Sequence, residues 1–354
     1  MFILIDKETT YVKVNPDSPS SEVAREAGRI LREGGLVAFP TETVYGLGAS
    51  ALNPQAVAEI FKAKGRPDDN PLIVHISDKN QVPDLTDEIT VQTSRLMEAF
   101  WPGPLTIVLH KKPVVPDVVT AGLHTVAVRI PDHPVALEII KAAGVPVAAP
   151  SANSSGKPSP TTAEHVLRDL EGKIDMIVDG GACRVGLEST VIDMTSEPPV
   201  ILRPGGISRE DIEGVLGHVE TDINQVSSTG TPRSPGVKYK HYAPKAKVIV
   251  VTGDDYAKIF ARITELVPEY RSAGKRVGIL ASAEMARGYC ADEVFPVGSR
   301  TRLETVAQNL FYGLRFLDAA GVDVIIAEGY PETGIGSAIM NRLIKAAGGR
   351  VIYV

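Results

Sequence analysis

Cysteine is nearly absent from this chain of 354 residues: only Cys183 and Cys290 occur. They are far apart and in no paired spacing, which excludes a disulfide framework and a cysteine zinc site and fits a reducing cytoplasm. Aromatic residues make up 5% of the sequence and no RNA-binding signature is present, which counts against a nucleic-acid module. Positive charge is not in excess either. With 37 Lys and Arg against 43 Asp and Glu, the net charge is −6 and the pI is about 5.7. A uniformly basic coat is excluded, so a polyanionic ligand has to meet a local pocket. Long apolar runs are missing as well. Met1-Phe2-Ile3-Leu4-Ile5 has no basic segment before it and is followed at once by Asp6, Lys7 and Glu8, so neither a signal peptide nor a membrane span is expected and the predicted location is cytoplasmic.

Several catalytic devices are also lacking. "SANSSGKPS" has Ser151 where a phosphate-binding loop needs a glycine five residues before Gly156, and "GIGSAI" at Gly334 lacks the third glycine of a dinucleotide fingerprint. The seven histidines show no HExxH spacing and no serine sits in a G-x-S-x-G elbow, which removes metalloprotease and hydrolase readings.

What is present is the balance of a globular protein, 44% apolar and 23% charged, long enough for two or three domains. Between residues 20 and 212, "LVAF", "LTIVLH", "TVAVRI", "VPVAAP", "DMIVDG", "STVIDM" and "PVILRP" read as strands bounded by Gly, Pro or Asn. "SEVAREAGRILREGG" reads as a helix with Val23, Ala27, Ile30 and Leu31 on one stripe. In "NPQAVAEIFKAKG", Asn53 is a cap, Pro54 opens the first turn and Gly65 is a stop. "TTAEHVLRDLEG" offers Thr161 and Glu164 as a capping box. Some strands follow one another with no room for a helix, so this α/β domain, residues 1–212, is predicted to have a mixed sheet.

A segment rich in Pro, Gly and Ser follows, with four basic and no acidic residues from Ser227 to Lys245; 213–245 is read as a linker. Residues 246–354 alternate strand and helix, "KVIVVTG", "KRVGILAS", "DVIIAEGY" and "RVIYV" being the strands. This predicts a smaller Rossmann-like domain with a parallel sheet and right-handed crossovers.

The candidate chemistry sits in loops after apolar strands. In "KAKGRPDDNP", Lys64 and Arg66 would leave the same face of an extended chain and could hold two anionic oxygens. The competing reading is a helix end at Gly65 with Lys62 and Lys64 placed by the macrodipole. In "VPVAAPSANSSGKPSP" a strand of small residues runs into Ser151, Asn153, Ser154 and Ser155, which suits close approach of a ligand; a polar surface loop would look the same. "FPTETVYGLG" repeats the pattern with Thr41 and Thr43, or is a threonine turn. Arg129 in "TVAVRIP" and Arg203 in "VILRPGG" are either site cations or ordinary solvated strand arginines, and His75 in "PLIVHIS" reads by default as a core histidine.

Taken together, "FPTETVYGLG", "KAKGRPDDNPL", "AVRIPDHP", "APSANSSGKPS", "ESTVIDM" and "ILRPGGIS" resemble, in order and spacing, the YrdC-like domain of L-threonylcarbamoyladenylate synthases. The linker "SPGVKYKHYAP" and "GIGSAIMNRL" resemble the two-domain form of that family. The resemblance implies a nucleotidyltransferase that joins L-threonine, bicarbonate or CO2, and ATP, releasing pyrophosphate. A separate transferase would then modify an adenosine beside the anticodon of tRNA. By that analogy Lys64, Arg66, Ser151 and Asn153 form the reaction centre. Asn70, Thr125, Ser159, Arg203 and His241 complete the nucleotide side, where Arg66 and Ser151 also act, while Thr43, His75, Arg129, the backbone of Ala149, and Ser189 hold threonine. Magnesium is expected to arrive on the triphosphate, with no protein ligand assigned. The linker, with Lys240, His241 and Tyr242, would fold over the nucleotide; the competing reading is a solvated spacer. Two rivals stand beside this reading. One is a module that binds RNA, at least weakly, in a basic cavity. The other is a hydrogenase-maturation carbamoyl-transfer domain, whose zinc-finger cysteines and acylphosphatase segment are missing here.

Overall fold

A computed structural model describes residues 7–222, 232–233 and 241–354. The chain divides into two compact units. The second comprises Gly156–Ser159, Val185–Leu187 and Tyr239–Val354, and the first comprises the remainder.

In the first unit eleven strands form one mixed sheet. Their order is Thr10–Lys13, Met176–Asp179, Val37–Phe39, Gly46–Ser50, Val147–Ala148, Ile73–His75, Thr125–Arg129, Leu105–His110, Thr190–Asp193, Val200–Arg203 and Glu220–Thr221. Val37–Phe39 with Gly46–Ser50, and Thr190–Asp193 with Val200–Arg203, pair antiparallel, as expected for strands joined without room for a helix, whereas Ile73–His75 runs parallel to Thr125–Arg129 and antiparallel to Val147–Ala148. Helices Ser21–Arg32 and Pro134–Ala143 pack on each other and on the cluster of Leu31, Phe39, Ile139, Ile140 and Val178. Their close approach needs Gly28, where a β-carbon would overlap the backbone of Ala142. A larger core gathers Leu47, Ile60, Leu96, Ile107, Val128 and Ile177 with helices Pro54–Lys64 and Val91–Phe100. Each such buried aliphatic side chain contributes about 1.5–3 kcal/mol.

Local signals largely act as read. Asn53 caps Pro54–Lys64 by accepting from Gln55 N and Ala56 N, and Gly65 ends it at φ +60°. The helix after Pro160 departs from expectation: Thr162, not Thr161, is the cap and accepts from His165 N. Thr161 is buried, and its own N–H donates to His165 Nδ1. Four strands were not anticipated: Gly46–Ser50, Glu293–Gly298, and Thr10–Lys13 and Glu220–Thr221, the last two being short edge strands lacking an alternating apolar pattern. Gly46–Ser50, within what reads as a glycine loop, is a fully buried strand.

The second unit's sheet is parallel throughout, ordered Glu293–Gly298, Val277–Ser282, Val324–Glu328, Lys247–Thr252, Val351–Tyr353. Strict strand–helix alternation fails once. Between Val277–Ser282 and Glu293–Gly298 there is a single 3-10 turn, Ala286–Gly288. Helix Tyr256–Ser272 covers one face over Val251, Ile279 and Ile326. Leu303–Ala319 covers the other, where Gly278 and Gly313 leave room for Leu317 and for Leu280 with Phe295.

Candidate active site

Lys64 occupies the last turn of its helix, yet it is only 4% exposed. Its ammonium donates to the carbonyl of Ser151 and, at 2.7 Å, to that of Asn153. Ser155 N returns a hydrogen bond to Lys64 O at 2.8 Å. The cation thereby fastens two loops 87 residues apart. The helix-end reading is right about backbone and wrong about consequence: Lys62 pairs outward with Glu59, while Lys64 turns inward. The extended arrangement of Lys64 and Arg66 is not found; left-handed Gly65 lies between them, and Arg66 N caps onto Phe61 O. Arg66 Nη2 donates to Asn70 O at 3.2 Å. Asn70 is fully buried, and its two side-chain polar atoms make no hydrogen bond among the described residues, a costly state unless a ligand supplies the partners. In the adjoining loop the Ser151 hydroxyl donates to Asn153 Oδ1 at 2.6 Å.

A second polar group lies where three strands end. His75 is level with Arg129 on one side and Val147 on the other. Arg129, 3% exposed, donates from Nε to Gly103 O at 3.1 Å and from Nη1 to Thr43 Oγ1 at 3.0 Å. Its Nη2 is 2.5 Å from Glu42 Oε1. The solvated-arginine reading therefore fails for Arg129. It fails too for Arg203, 4% exposed, whose Nε and Nη2 reach Ser189 O at 3.1 and 2.9 Å. Ser189 Oγ is 2.7 Å from Thr106 Oγ1, and Arg203 Nη2 reaches it at 3.2 Å. Gly205 makes this corner possible: a β-carbon there would overlap Thr190 N and the Ser189 backbone. Thr41 does form the turn, its hydroxyl donating to Val44 O while accepting from Val44 N, and the turn presents Thr43 to Arg129.

Burial, and secondarily the Arg129 guanidinium, pull the His75 imidazole down to about 3, so at neutral pH it is an uncharged ring with Nδ1 3.3 Å from Ile73 O. His75 is thus both core residue and neighbour of the arginine.

The two groups are joined at the Ser151–Gly46 bridge and through Ala149, whose N–H is taken by Ile73 O at 3.0 Å. Thr125 opens the strand that Arg129 closes, roughly 13 Å away at the rise of an extended chain. It lies on the side where Ile73–His75 begins, just after Asn70. Ser159, 1% exposed, and His241 belong to the second unit. Tyr242 holds a left-handed φ of 62° and stacks on Phe311 at 5.2 Å between ring centres. Lys238, Tyr239 and Lys240 of the anticipated cover lie outside the described residues. Sequence reasoning overlooked Glu42 and Thr106, which fix Arg129 and Ser189. The only available signal was a carboxylate set inside the apolar run "FPTETVYG".

Among the described residues no three His, Cys, Asp or Glu side chains converge as cation ligands, and no helix is long and apolar enough to cross a membrane. A family model described as telomere recombination matches residues 29–205. A model described as threonylcarbamoyl-AMP synthase, C-terminal domain, matches residues 207–348. The threonylcarbamoyl-AMP synthases of Bacillus subtilis and Pyrococcus abyssi are each 54% identical to this chain, over 92% and 93% of it and 93% and 95% of themselves. The crystal structure of P. abyssi Sua5 complexed with L-threonine superimposes with a TM-score of 0.93 at 51% identity, covering 98% of this chain and all of that one. With two family models matched in succession and synthases aligned over more than nine-tenths of either chain, the protein belongs to the two-domain threonylcarbamoyl-AMP synthase family.

Proposed function

We propose that this protein is a nucleotidyltransferase that makes threonylcarbamoyl-AMP from L-threonine, bicarbonate or CO2, and ATP, in the cytoplasm. The amine of threonine takes up CO2 and loses a proton to become a carbamate. A carbamate oxygen then bonds to the α-phosphorus of ATP while the bond from that phosphorus to the β-phosphate bridge breaks, and pyrophosphate leaves. Little covalent work falls to the protein; it has to position the reactants and neutralise charge.

The observation that carries this reading is the inward Lys64, tied to the Ser151 and Asn153 carbonyls beside Arg66 and the unsatisfied Asn70 amide. In an acidic chain, cations brought this close to a buried, incomplete polar group suit a phosphate-bearing ligand. Lys64 and Arg66 would face the triphosphate, with Ser151 and Asn153 at the reacting atoms. Asn70, Thr125, Ser159, Arg203 and His241 would complete the nucleotide side. At the far end of the same strands, Arg129 would hold the carboxylate of threonine. Its guanidinium carries five N–H groups, and three contacts, to Gly103, Thr43 and Glu42, fix its plane. Thr43, His75, Ser189 and the Ala149 backbone would surround the rest of the amino acid. A charge-assisted contact of this kind contributes about 1.5–3 kcal/mol.

Magnesium would ride on the triphosphate with most of its waters, since no acidic cage gathers among the described residues. The product is a labile mixed anhydride, and a separate transferase would consume it on tRNA. The test is pyrophosphate release from ATP and magnesium with L-threonine and bicarbonate together and each omitted in turn, followed by chromatography. Release that needs both, with a new adenylate peak, is expected. Release with neither would overturn the reading.

A further inference from the structure

The carboxyl edge of the second unit's sheet carries a polar cluster that the synthase chemistry does not use. The chain leaves Lys247–Thr252 towards helix Tyr256–Ser272 on one face of the sheet. It leaves the adjacent strand, Val324–Glu328, towards helix Ile335–Ala347, which packs with Leu303–Ala319 on the other face. Neighbouring strands whose exits diverge to opposite faces open a crevice at their carboxyl ends, the place where doubly wound sheets take ligands.

Arg300 lies in that crevice, its side chain 7% exposed. Its Nη2 donates to Glu328 Oε2 at 2.9 Å and Gly329 O at 3.0 Å, and Nε to Glu328 Oε2 at 3.2 Å. The guanidinium carbon sits 3.9 Å from the Tyr256 ring centre and 4.9 Å from that of Tyr330. Two aromatic rings and one carboxylate oxygen thus fix the group in place. Three buried polar atoms nevertheless make no hydrogen bond among the described residues, Arg300 Nη1, Glu328 Oε1 and the Tyr330 hydroxyl, while the Tyr289 hydroxyl leans on the Glu328 carboxylate. Glu328 is 1% exposed and Tyr330 4%, whereas Tyr256 is 41% exposed and leaves the clamp accessible. Burial, then the Glu328 carboxylate, push both tyrosines up, so each hydroxyl keeps its proton.

A buried donor or acceptor without a partner costs about 1–3 kcal/mol, and a purely structural ion pair gains little over an apolar replacement. Three such atoms around one ion pair therefore define a site built for something else. We propose that this crevice binds a small zwitterion of the α-amino acid class, with its carboxylate on Arg300 Nη1 and its ammonium on Glu328 Oε1. The Tyr289 and Tyr330 hydroxyls flank the pair, and the Tyr256 and Tyr330 rings wall the side chain. A phosphate dianion fits poorly. The single arginine is already paired with Glu328, and Glu284 next to it accepts from Ser299 Oγ and Arg300 N, adding a second negative charge. The sheet's loops also lack the phosphate-binding glycine pattern.

Hydrogen exchange of the full chain, with each free L-amino acid at millimolar concentration, tests this without any substitution. Protection by at least one amino acid at 253–256, 299–302 and 328–330 is expected. Calorimetric titration of that amino acid should then weaken about tenfold or more in Arg300→Lys, Glu328→Gln and Tyr330→Phe, and stay unchanged in Ser151→Ala. Tyr330→Phe removes one oxygen only and guards against loss of folding in the other two. No protection by any amino acid, protection by inorganic phosphate instead, or an isotherm untouched by all three substitutions would overturn the proposal.

Discussion

His75 shows how burial decides what a residue can do. Its folded pKa of about 3 lies well below the ordinary 6.5. Below pH 6.5 the unfolded chain takes up a proton that the folded chain refuses, so this contribution to stability is complete above pH 6.5 and is lost as pH falls towards 3. The slope in that window is about 1.4 kcal/mol per pH unit. His133, also lowered chiefly by burial, adds to the same trend. Urea unfolding between about pH 4.5 and 6.5 should show the loss, and His75→Gln should shrink it by about 2 kcal/mol; an unchanged slope would mean that the ring is protonated in the fold. Arg66→Ala should lower turnover at least about tenfold with melting temperature and circular dichroism intact. Near-normal turnover would return Arg66 to a plain helix-end role. Individual residues were legible as types but not as environments. Arg129 and Arg203 alternate with apolar neighbours as a solvated arginine does, and only packing in the folded chain reveals that both are enclosed.

Elements were more legible where one local rule acts. Asn53, Pro54 and Gly65 together specify both ends of a helix, and the structure obeys them. Where two rules compete, packing chooses: Thr161 and Thr162 are equally good caps, and the inward position of Thr161 leaves the capping to Thr162. The strand Gly46–Ser50 was hidden because glycines read as turns, whereas here they let Phe39 and Val147 crowd the backbone. Two glycine substitutions separate conformational from steric cost. A β-carbon at Gly65 meets nothing within 4 Å, so Gly65→Ala should cost about 1 kcal/mol, the penalty of the left-handed region alone. Gly205→Ala has to move the Ser189–Thr190 backbone and should cost about 3 kcal/mol or more. Urea midpoints of both variants check the contrast; equal values would remove Gly205 as the reason the Arg203 corner closes.

For the whole molecule the charge balance gives the most direct expectation. A chain at −6 whose candidate-site cations Lys64, Arg129 and Arg203 are enclosed should turn over small substrates with modest salt dependence. Activity is expected to change less than about threefold between about 50 and 200 mM salt, where a phosphate-backbone binder would lose orders of magnitude in affinity. A steep loss of activity would bring RNA back as a ligand. The α/β class, the mixed first sheet and the parallel second one follow from element spacing, because connection length dictates whether neighbouring strands can run parallel. The sequence by itself determined those features, the helix ends and, through its motifs, the family resemblance. Only the tertiary structure decided that Lys64 turns inward, that Glu42 and Thr43 hold Arg129, that Ser189 meets Arg203, and that Arg300 is clamped between two tyrosines. Apart from Ser189 and Arg203, which are 14 residues apart, these contacts join segments far apart in the chain. Propensity and periodicity describe a residue's neighbours along the chain, whereas burial and charge pairing depend on its neighbours in space.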